Sequence, residues 1–181
     1  VLHCWGTNNL GQASVPDETN YRYVSAGGLH TCAIDVAGTT RCWGQDTGDG
    51  RLNPPGVGLV SFEAGMTHNC GLDASGNLYC WGTNDFGESS PPGGVYEQVT
   101  VGGQHSCALN SEGVATCWGR NDMLQTLVPP GRFTSISAGR AHTCAVNLQS
   151  AVVCWGDNAV GQTTPPETGT GVPVDTGLTD T

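Results

Sequence analysis

Residues 25–44 read SAGGLHTCAIDVAGTTRCWG. A His-x-Cys-Ala-Ile block, the segment DVAGT (35–39) and a closing Cys-Trp-Gly follow one another within the span of a hairpin. Asp and Gly tolerate positive φ, so DVAGT reads as a tight turn between two strands. The short alternating run ahead of it, residues 21–25, reads as a third strand.

The same arrangement recurs along the chain. Cys-Trp-Gly stands at Cys4, Cys42, Cys80, Cys117 and Cys154, at spacings of 38, 38, 37 and 37 residues. Blocks equivalent to 25–34 are EAGMTHNCGL (63–72), TVGGQHSCAL (100–109) and SISAGRAHTCAV (135–146), with turns DASGN (73–77) and NSEGV (110–114). NLQSA (147–151) lacks the turn glycine. A fixed period of this size means repeating supersecondary units, and short strands without helix-period segments mean antiparallel sheets. The fold expected is all-β: a β-propeller-type array of repeats of 37–38 residues, with four full blades plus one incomplete or composite blade, open or closed by strand exchange.

These blocks, AGG-x-H-T-C-A-(I/L/V) and CWG-x-N-x-x-G-Q-x-x-x-P-P, resemble the repeats of the regulator of chromosome condensation family, in particular the cysteine-bearing version of bacterial secreted proteins. The resemblance covers residues 1–166 and implies a propeller, which in this family usually closes a ring of seven blades. The family includes a nucleotide exchange factor that binds chromatin and an inhibitor of β-lactamase. Neither activity is carried over, because only framework residues match and fold does not imply function.

Composition narrows the classes further. The 181 residues include 28 Gly, 10 Pro and 9 Cys but no Lys, which excludes a helical bundle. Six Arg against sixteen Asp and Glu give a net charge of −10, so nucleic acid and anionic lipid are repelled. No apolar run approaches the ~20 residues of a membrane span and no signal peptide opens the chain, which reads as a mature or excised piece without membrane insertion.

Each unit places two cysteines ten residues apart: Cys32 and Cys42, Cys70 and Cys80, Cys107 and Cys117, Cys144 and Cys154. Across a hairpin such residues face each other at about 4.5–5.5 Å between Cα atoms, which suits a disulfide. Four intrablade disulfides are expected, and with them an oxidising, extracellular or periplasmic location. Zinc is the rival reading, because His30, His68, His105 and His142 each precede a Cys by two residues; four half-sites on separate blades lack further ligands, and neither metal nor cofactor is expected. Cys4 is left over, unpaired or intermolecular.

A residue that recurs once per unit is explained by the unit. The four histidines read as structural donors to turn or interblade carbonyls, and Trp5, Trp43, Trp81, Trp118 and Trp155 as packing between blades; a general base and carbohydrate stacking are the rival readings. No catalytic constellation emerges, so the chain is read as a non-enzyme. Function is sought in what varies. The first-to-second turn and the loop after Cys-Trp-Gly fall on one face, and there Leu10, Phe86, Met123, Val160, Arg51, Arg120 and Arg140 are the binding-face candidates. The apolar members either plug their own loops or form a protein-binding rim. DTGDG (46–50) resembles a calcium loop only faintly.

After Pro166 the chain turns to Thr, Gly and Asp. Residues 167–181 read as a linker whose threonines are candidate glycan sites, or, from the repeat register, as a closing strand over 172–176. The array itself spans 1–166, in units of about 4–41, 42–79, 80–116 and 117–153 with a partial unit 154–166. Residues 1–5 read as a third strand seeking a neighbour. The function expected is an extracellular structural or protein-interaction module, self-associating head to tail through its ends; the alternative is an inhibitor or receptor-like binder using the variable face.

Overall fold

The computed structural model describes residues 1–17 and 20–166. Twelve strands form four three-stranded antiparallel sheets. The first sheet holds β1 (Tyr21–Ala26), β2 (His30–Asp35) and β3 (Thr40–Gly44), and the second β4 (Leu59–Ala64), β5 (His68–Asp73) and β6 (Leu78–Gly82). The third holds β7 (Gln98–Val101), β8 (His105–Leu109) and β9 (Ala115–Gly119), and the fourth β10 (Phe133–Ala138), β11 (His142–Asn147) and β12 (Val152–Gly156). Each sheet is a meander that runs from a first strand to the end of its Cys-Trp-Gly. Among the described residues no strand ladder joins the fourth sheet to the first.

The turn chemistry behaves as the residue types dictate. Asp35, Asp73, Asn110 and Asn147 each accept a main-chain N–H four residues on, and the fourth turn residue takes positive φ. That residue is Gly38, Gly76 and Gly113 in three sheets; in the fourth, Ser150 adopts the same left-handed conformation at φ 61°. The turn without glycine therefore forms, with a non-glycine residue in a region that favours glycine.

The core lies between the sheets. Ile34 of the first packs with Leu59, Phe62 and Trp81 of the second, and Leu72 of the second with Tyr96, Ala108 and Trp118 around the third. Leu109 of the third packs with Phe133, Ala145 and Trp155 around the fourth. One aromatic-rich cluster thus fills each of the three joints, as expected of sheets too small to bury a face alone. The middle strand of the first three sheets is covered on both faces, and β2 is buried along its whole length.

One expectation meets a different outcome and another is left untested. Residues 1–5, which hold the Cys4 and Trp5 of the first Cys-Trp-Gly, form no strand: Trp5 is exposed, and among the described residues no middle strand of the kind that pairs with every other Cys-Trp-Gly lies beside it. The closing strand over 172–176 and the tail 167–181 lie outside the described residues.

Candidate binding face

The framework residues are consumed in joining one sheet to the next. In each of the four loops that lead from a Cys-Trp-Gly into a sheet, one main-chain carbonyl accepts two donors from that sheet. Gln12 O takes Thr31 Oγ1 at 2.9 Å and Trp43 Nε1 at 3.1 Å; Arg51 O takes Asn69 Nδ2 and Trp81 Nε1, both at 3.1 Å. Glu88 O takes Ser106 Oγ at 3.3 Å and Trp118 Nε1 at 2.9 Å, and Gln125 O takes Thr143 Oγ1 at 3.1 Å and Trp155 Nε1 at 2.9 Å. Indole N–H groups need a partner when buried, and here the loop supplies it.

Three of the four repeat histidines bridge the same joints; His142 is half-buried and lines the loop-face groove instead. Nε2 of His30, His68 and His105 lies 2.7, 2.8 and 2.9 Å from Asn69 Oδ1, Ser106 Oγ and Thr143 Oγ1 of the next sheet. The Ser106 and Thr143 hydroxyl protons are already directed at Glu88 O and Gln125 O, and Asn69 Oδ1 can only accept, so each histidine donates through Nε2–H. Nδ1 is then a buried lone pair without a partner in all three. Burial pushes the His68 imidazole down to about 3 and that of His105 to about 4, and lowers that of His30. The acceptors are side chains of the neighbouring sheet, where the sequence pattern led to an expectation of carbonyls.

Cys32 and Cys42, Cys70 and Cys80, Cys107 and Cys117, and Cys144 and Cys154 stand directly opposite each other in register and are disulfide-bonded. Their Cα atoms are 4.0–4.1 Å apart, closer than the hairpin estimate. Cys4 is a free thiol, half-buried in a hollow of about 300 Å³ lined also by Trp5, Val24, His30 and Thr31.

The variable loops have a common local design that places one side chain at their apex. The main-chain N–H groups of Leu10, Phe86, Met123 and Val160 donate to the side chains of Gln12, Glu88, Gln125 and Gln162 two residues on, at 2.7–3.0 Å. The residue between them takes positive φ, glycine at 11, 87 and 161 but Leu124 at φ 60°. The apex side chains are left exposed: 41% for Leu10, 47% for Phe86, 49% for Met123 and 87% for Val160. None of the four plugs its loop.

Arg51 departs from this design and is corrected as a binding-face candidate. It occupies the position of Gln12 and Glu88, turns inward and is buried, with Nε on Asp49 Oδ1 at 2.9 Å and Nη2 on Thr47 at 3.0 Å. Asp49, also hydrogen-bonded by Thr83, is held far below the usual carboxylate range, chiefly by the Arg51 guanidinium. The pair substitutes for the Gln/Glu turn bond and leaves nothing for a partner.

The remaining candidates converge in part. A groove of about 590 Å³ runs across the loops of the last three sheets, lined by Met66, Gln104, Arg120, Asp122, Met123, Arg140, Asp157, Val160 and Gln162 among others. Arg120, Met123, Arg140 and Val160 therefore share one site, whereas Phe86 stands beside it beneath the Arg120 guanidinium, and Leu10 lies apart. Arg120 is fixed by Asp122, with Nε–Oδ1 at 2.9 Å, and by Gln104 Oε1 at 2.6 Å; the ion pair in turn lowers the Asp122 carboxyl. Asp157 and Gln162 are groove residues that sequence reasoning does not single out. The signal available is the Asn-x-x-Gly-Gln loop at 158–162, which repeats that at 8–12. No cluster of His, Cys, Asp and Glu suited to a metal occurs among the described residues.

The model of the regulator of chromosome condensation (RCC1) repeat matches residues 60–88, 96–125 and 133–162, each from a first strand into the loop beyond Cys-Trp-Gly. The chain belongs to the regulator of chromosome condensation repeat family. Among solved structures, the ectodomain of the Physcomitrella patens receptor kinase CR4 is 34% identical at a TM-score of 0.72, over 85% of this chain and 46% of that one. The CRINKLY WD40 ectodomain of the Arabidopsis thaliana receptor kinase ACR4 is 26% identical at a TM-score of 0.71, over 86% of this chain and 60% of that one. Yeast RCC1 (Prp20), solved bound to Kap60, shares the fold at 18% identity and a TM-score of 0.68, over 80% of this chain and 45% of that one. The chain thus spans between 45% and 60% of the length of these three chains. No curated protein matches it significantly in sequence.

Proposed function

We propose that the chain is a protein-binding part of an extracellular RCC1-type propeller, and that it holds its partner on the variable-loop face. The observation that carries this is the division of labour between residues. Trp and Cys of each repeat, and His in the first three, are spent on the joints and hairpins, while side chains that differ between repeats meet in one groove. Four disulfides and the likeness to two receptor-kinase ectodomains support the extracellular setting. Yeast RCC1 binds a protein, Kap60, which accords with protein binding as one use of such a fold. His30, His68 and His105, buried and donating across the joints, are given no catalytic role.

The test compares two sets of surface substitutions in a screen against extracellular proteins of the source organism. Met66→Ser with Met123→Ser alters the groove; Val36→Ser with Leu148→Ser alters the turns at the opposite end of the strands. Binding lost only with the first pair supports the reading, and equal loss or equal retention overturns it.

A second reading, self-association, has its own observation: Trp5 is 88% exposed next to the free thiol of Cys4. A dimer seen by non-reducing electrophoresis and abolished by Cys4→Ser would support it. A monomer that alkylates at Cys4 without reduction would remove the covalent form.

A further inference from the structure

Of the six arginines, five have partners within the chain. Arg22 donates to Leu59 O, Arg41 lies against Asp35 and Asp17, Arg51 against Asp49, Arg120 against Asp122 and Arg132 against Glu112. Arg140 has none among the described residues, is exposed, and lines the groove. Its main chain is anchored, since Gly103 N donates to Arg140 O at 3.0 Å, so the guanidinium stands on a fixed turn. In a chain without lysine this is the one groove cation, among the described residues, whose charge is not answered internally, and a planar guanidinium is best answered by a carboxylate.

The surroundings restrict the ligand further. Met66, Met123 and Val160 expose 44%, 49% and 87% of their surface in the same groove, and methionine adapts to apolar groups of varied shape. Asp122 and Asp157 line it too, and the chain as a whole carries −10, so a run of acidic residues is repelled where a single carboxylate is held. We propose that the groove binds a segment of a partner protein that presents one Asp or Glu carboxylate beside an apolar side chain, the carboxylate on Arg140 and the apolar group on Met66, Met123 and Val160. This rests on the reading of the variable face as a protein-binding surface.

The test is a random-peptide display selection on the immobilised full chain, followed by titration of the selected peptides. Melting temperature and the four disulfides serve as folding controls for each variant. The expected peptides carry a lone Asp or Glu next to Leu, Ile, Phe or Met. Arg140→Ala should weaken them by about tenfold, the loss of one charge-assisted contact, and Arg140→Glu should shift selection toward Lys and Arg. Peptides without acidic preference that are lost in Met66→Ser with Met123→Ser would overturn the carboxylate inference and leave the binding face standing. Peptides indifferent to every groove substitution would overturn both. Displacement by acetate at peptide-like concentration would mark a small-anion site, and self-association abolished by Arg140→Glu would make the occupant a second copy; either overturns the proposal.

Discussion

The guanidinium carbon of Arg120 lies 5.1 Å from the centroid of the Phe86 ring, and the contact ties together the two loops that flank the third sheet. Phe86 is thereby a support for a groove residue in addition to an exposed surface. Replacing it with Ala should cost under about 1 kcal/mol of stability, the scale of an exposed cation–π contact. Any partner held in the groove should bind more weakly, because Arg120 loses one of its restraints. Parallel thermal melts and partner titrations of Phe86→Ala and Phe86→Leu check this; a large fall in melting temperature would mean that the ring is part of the core.

Stability should fall as pH drops from about 6.5 toward 4, before most carboxylates titrate. The histidines titrate near 6.5 when exposed but are pushed down to about 3 at His68 and about 4 at His105 in the fold. Below 6.5 the unfolded chain therefore takes up protons that the folded chain refuses, and unfolding is favoured. His68→Gln, which keeps an N–H donor and cannot titrate, should flatten this slope in denaturant melts run at several pH values. An unchanged slope would show that protonation is accommodated at the joint.

Leu124 and Ser150 hold positive φ where the equivalent residues are glycines. The left-handed conformation costs a non-glycine residue about 1–2 kcal/mol, partly offset by the extra freedom that glycine has when unfolded. Leu124→Gly and Ser150→Gly should each raise stability by a fraction of this, up to about 1 kcal/mol. Urea midpoints read the change.

The opposite result is expected at Gly65. A Cβ there would sit 2.5 Å from Gly102 O, a main-chain atom of the adjoining sheet that cannot swing aside. Gly65→Ala should destabilise by about 1–3 kcal/mol, as overpacking does. Denaturant unfolding at neutral pH tests it.

Peptide mapping without reduction should return Cys32–Cys42, Cys70–Cys80, Cys107–Cys117 and Cys144–Cys154, with Cys4 alkylated. Removing one pair, Cys70→Ser with Cys80→Ser, should cost at most about 3 kcal/mol, because a hairpin already keeps its two strands near each other in the unfolded chain.

Much of the fold is legible in the sequence because the repeat states the same fact several times. The four His-x-Cys blocks that precede a Cys-Trp-Gly set the number of sheets, and the five-residue turns opened by Asp or Asn set which cysteines face each other. Arg51 is misleading because its position in the repeat belongs to Gln or Glu elsewhere. Whether the long side chain reaches out or folds back on Asp49 depends on a tertiary pocket that no local pattern encodes. The histidine acceptors are hidden for a related reason: Asn69, Ser106 and Thr143 sit one residue after their own sheet's histidine, and only the stacking of sheets makes them partners of the preceding one. The groove is half visible, since Met123, Arg120 and Arg140 lie in loops that vary, yet their meeting in one hollow is a property of the stacking.

The joints between sheets close on backbone oxygens, those of residues 12, 51, 88 and 125. A backbone oxygen is present whatever amino acid is encoded, so the seam places little restriction on the letters around it. Loop apices such as 86, 123 and 160 are accordingly open to diversification. A library randomised there, on repeats added or exchanged as modules, would have a scaffold whose seams do not depend on the letters being changed.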